Sequence, residues 1–141
     1  MWLVLGALSL AGCGGSSASS DGPGEFAKRQ YEQMGKRERG KVYDSLLPEQ
    51  RSQDVLDAYW GCTESVVGSF HFDTIEVVDV HDESITVGGV SHPGKAVTLK
   101  ITLGPNRADL TRHVINEDGR SYAAVSDRKL AQWHRGICVN P

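Results

Sequence analysis

Between Val97 and Leu103 aliphatic side chains alternate without a break with Thr98, Lys100 and Thr102. A period of two puts Val97, Leu99, Ile101 and Leu103 on one face of an extended strand and the polar groups on the other, as in a sheet packed on one side only. Shorter versions of the pattern recur at Ile75 and Val77 around Glu76, and at Ile85 and Val87 around Thr86. Ala108 to Glu117 and Ser121 to Ser126 complete the set of predicted strands. Pro93-Gly94 suits a type II turn, and Asp118-Gly119 is a hairpin signal because both residues tolerate positive φ. Nothing of crossover length and helical period separates these segments, so the spacing predicts an antiparallel meander rather than βαβ units.

The residues before Gly68 follow the other period. Phe26, Ala27, Tyr31 and Met34 fall at helical spacing, and Val42, Tyr43, Leu46 and Leu47 add a further apolar turn before Pro48. One amphipathic helix is expected over 24–47, weakened by Gly35 and Gly40. Val55, Tyr59 and Cys62, with Leu56 and Trp60 on a neighbouring line, predict a second helix over 49–63. The fold class expected is therefore α+β, two N-terminal helices packed on a curved antiparallel sheet, with 25–141 as a single domain. At 141 residues the chain has room for one core, and a net charge of -3 gives no general electrostatic reason to expect a nucleic-acid partner.

Residues 1–12, MWLVLGALSLAG, carry no charge and make a run of about 18 Å as a helix, short of a bilayer core of about 30 Å. The run reads as a signal peptide. Leu10-Ala11-Gly12-Cys13 resembles the lipobox of bacterial lipoproteins. That resemblance implies cleavage before Cys13, a diacylglyceryl group on its sulfur, acylation (palmitate or a similar chain) of the new amino terminus, and residence on the extracytoplasmic face of the cell membrane. Residues 13–24 are then the lipidated cysteine and a Gly/Ser-rich tether. With Cys13 assigned to lipid, Cys62 and Cys138 remain in an oxidising compartment, where a disulfide is expected ahead of a metal thiolate pair or a catalytic thiol.

Tyr43-Asp44-Ser45-Leu46-Leu47-Pro48, Tyr59-Trp60-Gly61-Cys62 and Gly136-Ile137-Cys138 give the chain a resemblance to small actinobacterial lipoproteins with a nuclear transport factor 2-like, or cystatin-like cone, domain. The resemblance implies a concavity between helices and sheet. Tyr31, Tyr59, Trp60, Phe70 and Phe72 are the candidates to line it for a small apolar ligand. An envelope protein is the other expected partner, and the second reading is an isomerase or dehydratase working with one pocket carboxylate or histidine. Asp79, Asp109 and His113 are the strand residues considered for that role, and no catalytic residue is assigned among them.

The histidines at 71, 81, 92, 113 and 134 lack the paired spacing of a zinc motif, so neither a metal nor a cofactor is expected. Lys28, Arg29, Lys36, Arg37, Arg39 and Lys41 give the first helical segment a basic surplus that suits anionic headgroups close to an anchored N-terminus.

Overall fold

The computed structural model describes residues 22–67 and 72–138. Cys13 with its lipobox, most of the tether, Phe70 and His71 lie outside the described residues. The fold is α+β, with the helices packed on an antiparallel sheet.

Helix α1 (Pro23–Gly35) starts on a proline, whose missing N–H costs nothing in a first turn, and buries Phe26, Ala27, Gln30, Tyr31 and Met34 along one face. The helix expected to run to residue 47 breaks here instead. Arg37 adopts φ 57, its N–H bonds the Met34 carbonyl at 3.0 Å, and the Glu38 N–H reaches back to the Gln33 carbonyl at 2.9 Å. These are the two bonds of a Schellman stop, with an arginine in the left-handed position that usually falls to glycine. Helix α2 (Arg39–Ser45) follows, then a 3-10 turn at Pro48–Gln50. Helix α3 (Gln53–Val67) begins four residues later than expected, because the Ser52 hydroxyl accepts the Val55 N–H at 3.1 Å and sets the start there.

The strands are β1 (Thr74–Asp82), β2 (Ile85–Val87), β3 (Val90–His92), β4 (Lys95–Leu103), β5 (Asn106–Glu117) and β6 (Arg120–Ala124). Four form a sheet in the order β1-β4-β5-β6, all antiparallel, while β2 and β3 pair only with each other. Val97, Leu99 and Ile101 are fully buried, as the alternation demands. In β1 the register slips between Val77 and Asp79, so Val77 pairs with Leu99 and Val80 with Val97 on one face although they stand three positions apart. Such a bulge absorbs the odd residue and adds local twist.

Two turns behave differently from each other. Asp118 and Gly119 (φ 52 and 77) close the β5–β6 hairpin in the conformation the dipeptide favours. Pro93-Gly94 makes no type II turn: Gly94 does not have positive φ, and its role is close approach. A Cβ there would meet Ile85 Cδ1 at 2.6 Å and the Val114 carbonyl at 2.9 Å.

Beyond the last strand the chain forms helix α4 (Asp127–His134), where the sequence reading places no element. Ser126 caps it by accepting the Lys129 N–H at 3.1 Å, and Gly136 (φ 77) ends it with bonds from Gly136 N to Trp133 O and from Ile137 N to Gln132 O. Trp133 packs edge-on against Tyr59 of α3, and a disulfide joins Cys62 to Cys138 with Cα atoms 5.1 Å apart.

Two cores result. The larger gathers α1, α3 and one face of the sheet around Tyr31, Met34, Tyr59, Leu99 and Leu110. A smaller one, made of Leu47, Ile85, Val87, Ile115 and Ala124 with Tyr122 packed against it, sits under the β2–β3 hairpin on the opposite face of β5 and β6. Asp127 straps that hairpin to α4: its two carboxylate oxygens accept the Gly88 and Gly89 N–H groups at 2.8 and 2.9 Å.

Candidate binding cleft

Strand register decides which titratable groups reach the main core. On β5, Leu110 pairs with Leu99 and Arg112 with Val97, so Arg112 stands on the apolar face, while Asp109 and His113 point the other way. Asp79 is exposed and bonded to the His81 ring at 2.7 Å, and the half-buried His113 faces Glu83 at 3.0 Å. None of the residues considered for pocket acid-base chemistry therefore enters the core. The group that does was not singled out from the sequence.

Arg112 retains 2% of its exposure. Its guanidinium lies 3.7 Å from the Tyr59 ring centroid and 4.5 Å from that of Tyr31, and Nη2 donates to Thr63 Oγ1 at 2.6 Å. Thr63 in turn donates to the Tyr59 carbonyl. Desolvated cation–π contacts with two phenol faces hold the charge where no carboxylate is bonded to it among the described residues. Burial pushes the pKa of both tyrosines up, against the opposing pull of the arginine charge, so both stay protonated. Tyr59 consequently donates, at 2.6 Å, to Gln30 Oε1.

Gln30 carries this network to the surface. Its Nε2 donates to Ser45 Oγ at 2.7 Å, and Ser45 donates to the Val42 carbonyl. Gln30 and Ser45 form part of the wall of a cleft of about 520 Å³ between α1, α2 and β6. Arg29 and Lys41 enter it from the helices, Arg51 from beyond the 3-10 turn and Arg120 from the β5–β6 hairpin, against Asp44 as the lone carboxylate among its lining residues. Phe26 and Tyr122 supply ring surface. Two carbonyls fix Arg51: Nε donates to Leu46 O at 3.2 Å and Nη2 to Asp44 O at 2.7 Å, with the guanidinium 5.8 Å from the Tyr122 ring. Among the described residues, neither Arg51 nor Arg120 has an ion-pair partner.

The aromatic residues expected to line an apolar pocket are placed otherwise. Tyr31, Tyr59 and Trp60 are buried in the main core, Phe72 packs against it with its ring 6.2 Å from that of Tyr31, and none of them lines the cleft. The basic residues of the first helical segment also part company: Arg29 and Lys41 reach the cleft, Lys41 while paired with Glu38 at 2.5 Å, whereas Arg39 pairs with Asp57 at 2.5 Å and stacks 4.9 Å from the Trp60 ring. Lys28 is half-buried on α1, and Lys36 and Arg37 form the exposed α1–α2 turn.

Among the described residues no helix is long and apolar enough to cross a membrane. Comparison with family models, with curated proteins and with solved structures finds no match.

Proposed function

We propose that the protein is a non-enzymatic, lipid-anchored binding protein of the cell envelope, with a cone-like domain whose cationic cleft receives a small ligand bearing an anionic group beside a ring or chain. The observation that carries this reading is the cleft wall: Arg51 and Arg120, without ion-pair partners among the described residues, line it together with Arg29 and the Glu38-paired Lys41, with Asp44 as the one lining carboxylate and Phe26 and Tyr122 beside them. Guanidinium groups donate in a planar fork that matches carboxylate and phosphate oxygens. Arg51 is held in place before any ligand arrives, which lowers the entropy cost of binding. The anchor rests on Leu10-Ala11-Gly12-Cys13 and on the Gly/Ser tether that follows it.

Phenyl phosphate tests the cleft and phenol serves as its neutral control. In heteronuclear NMR spectra phenyl phosphate is expected to shift the signals of Arg51, Arg120 and Tyr122, and the double variant Arg51→Ala/Arg120→Ala to weaken binding about tenfold, the size of one or two half-exposed charge contacts. Equal shifts with phenol, or unchanged affinity in the double variant, overturn the cleft. The anchor is tested separately: the intact mass of protein extracted from bacterial membranes should exceed that of the chain from Cys13 by its acyl groups, and Cys13→Ala should release the protein from the membrane fraction.

A further inference from the structure

The smaller core has a polar lid. On β3 His92 pairs in register with the buried Ile85, and on β5 Glu117 lies two residues beyond the buried Ile115, so both side chains stand on the face that holds the apolar cluster. Glu49 comes from the 3-10 turn, two residues after Leu47 of the same cluster. Three elements that are remote in sequence thus bring one imidazole and two carboxylates to one point, with a ligand atom from each within 4.8 Å of the others.

We propose that Glu49, His92 and Glu117 form a binding site for a divalent first-row transition-metal ion, of which Zn²⁺ is the type. The groups lie near one another without bonding directly: His92 Nε2 is 4.0 Å from Glu49 Oε1 and His92 Nδ1 is 3.6 Å from Glu117 Oε1, both beyond hydrogen-bond range. An ion takes only one of the two ring nitrogens, and one ligand atom from each of the three residues lies within 4.8 Å of the others, close enough for small side-chain adjustments to bring both carboxylates onto an ion at about 2.1 Å. A second observation points the same way: His92 Nε2 is sealed from solvent and has no hydrogen-bond partner, a state that leaves a ring nitrogen's donor or acceptor capacity unused. The carboxylates also leave nearby cations alone. Glu117 pairs in register with Arg120, and Glu49 is two residues from Arg51, yet among the described residues neither acid forms an ion pair with either arginine.

Donor chemistry selects the ion class. One imidazole nitrogen favours zinc, iron, copper or nickel over magnesium or calcium, which take oxygen ligands, and two carboxylates balance a divalent charge. Three protein ligands leave room for water in a further position.

Zn²⁺ titration of the untagged full chain, followed by calorimetry and by competition with a chromophoric chelator, tests the site. One equivalent is expected to bind, with affinity lowered about tenfold or more by His92→Ala and by Glu49→Gln, and unchanged by His81→Ala or His134→Ala. Glu49 is 52% exposed, so its glutamine variant keeps the fold and carries the test if His92→Ala does not fold. The Co²⁺ form should show d–d bands without thiolate-to-metal charge transfer, which separates the site from any cysteine. Absence of saturable binding, binding that survives both His92→Ala and Glu49→Gln, or binding abolished by His81→Ala in place of His92→Ala overturns the proposal.

Discussion

A guanidinium between two phenol rings, bonded to one hydroxyl, owes its place to shape and polarisability as much as to charge. Nε and Nη1 of Arg112 are buried without partners, a cost that the stacked faces of Tyr31 and Tyr59 offset. Lysine would keep the charge but lose the flat stacking surface, and its ammonium is more strongly hydrated. Arg112→Lys is therefore expected to destabilise the fold by about 2–3 kcal/mol, and Arg112→Met by less than about 1 kcal/mol, in urea unfolding curves. The order matters more than the sizes: the charge-conserving change should do the greater harm. Behind the same strand, burial first, then the nearby Lys129 charge, hold the His113 imidazole below its ordinary 6.5, opposed by Glu83. The folded state takes up this proton less readily than the unfolded chain, so stability present above pH 6.5 falls as the pH drops below it. Lys129, pushed down to about 8 from 10.5 by burial and by Arg112, adds stability as the pH rises between those values. Lys129→Met should raise stability at pH 7 by on the order of 1 kcal/mol and flatten the alkaline rise, both measured from urea midpoints across pH.

Among the elements, the β2–β3 hairpin depends most on single positions. Gly94 lets the chain enter β4 against Ile85 and the Val114 backbone, so Gly94→Ala should cost about 1–3 kcal/mol through overpacking, read from the urea midpoint. Asp127→Asn removes one of the two carboxylate acceptors facing Gly88 and Gly89, and faster amide hydrogen exchange at those two glycines is its expected signature. Patterns that depend on period were legible in the sequence: Val97 to Leu103 as a core strand, the helical stripe from Phe26 to Met34, and the Asp118-Gly119 turn. Elements set by one backbone conformation were harder to read. Arg37 ends α1 in a left-handed geometry that arginine does not announce, and α4 is marked chiefly by Ser126 and Gly136 at its two ends. The β1 bulge, too, arises from pairing with β4 and leaves only the irregular spacing of Val77 and Val80 as a trace.

For the molecule as a whole, sites assembled across the chain escape spacing arguments. The cleft takes Arg29 and Lys41 from helices read as basic, but Arg51 and Arg120 join them only because the Leu46–Ala123 bridge and the Leu47 N–H bond to Ala123 O bring the 3-10 turn to β6. Glu49, His92 and Glu117 likewise have no common local pattern, and the adjacent apolar residues that unite them form the smaller core. Removing the bridge by Cys62→Ser with Cys138→Ser should lower stability by about 2–5 kcal/mol, measured against the oxidised chain in urea. The bond has a mechanical meaning as well. Every strand among the described residues lies between residues 62 and 138, inside a covalently closed ring. Tension applied between the N-terminus and Cys138 passes through the Cys62–Cys138 bond, so only the stretch ahead of Cys62 can pay out as slack. The helices α1 and α2 would yield first, and the strands would remain a closed loop that tension cannot draw into a line.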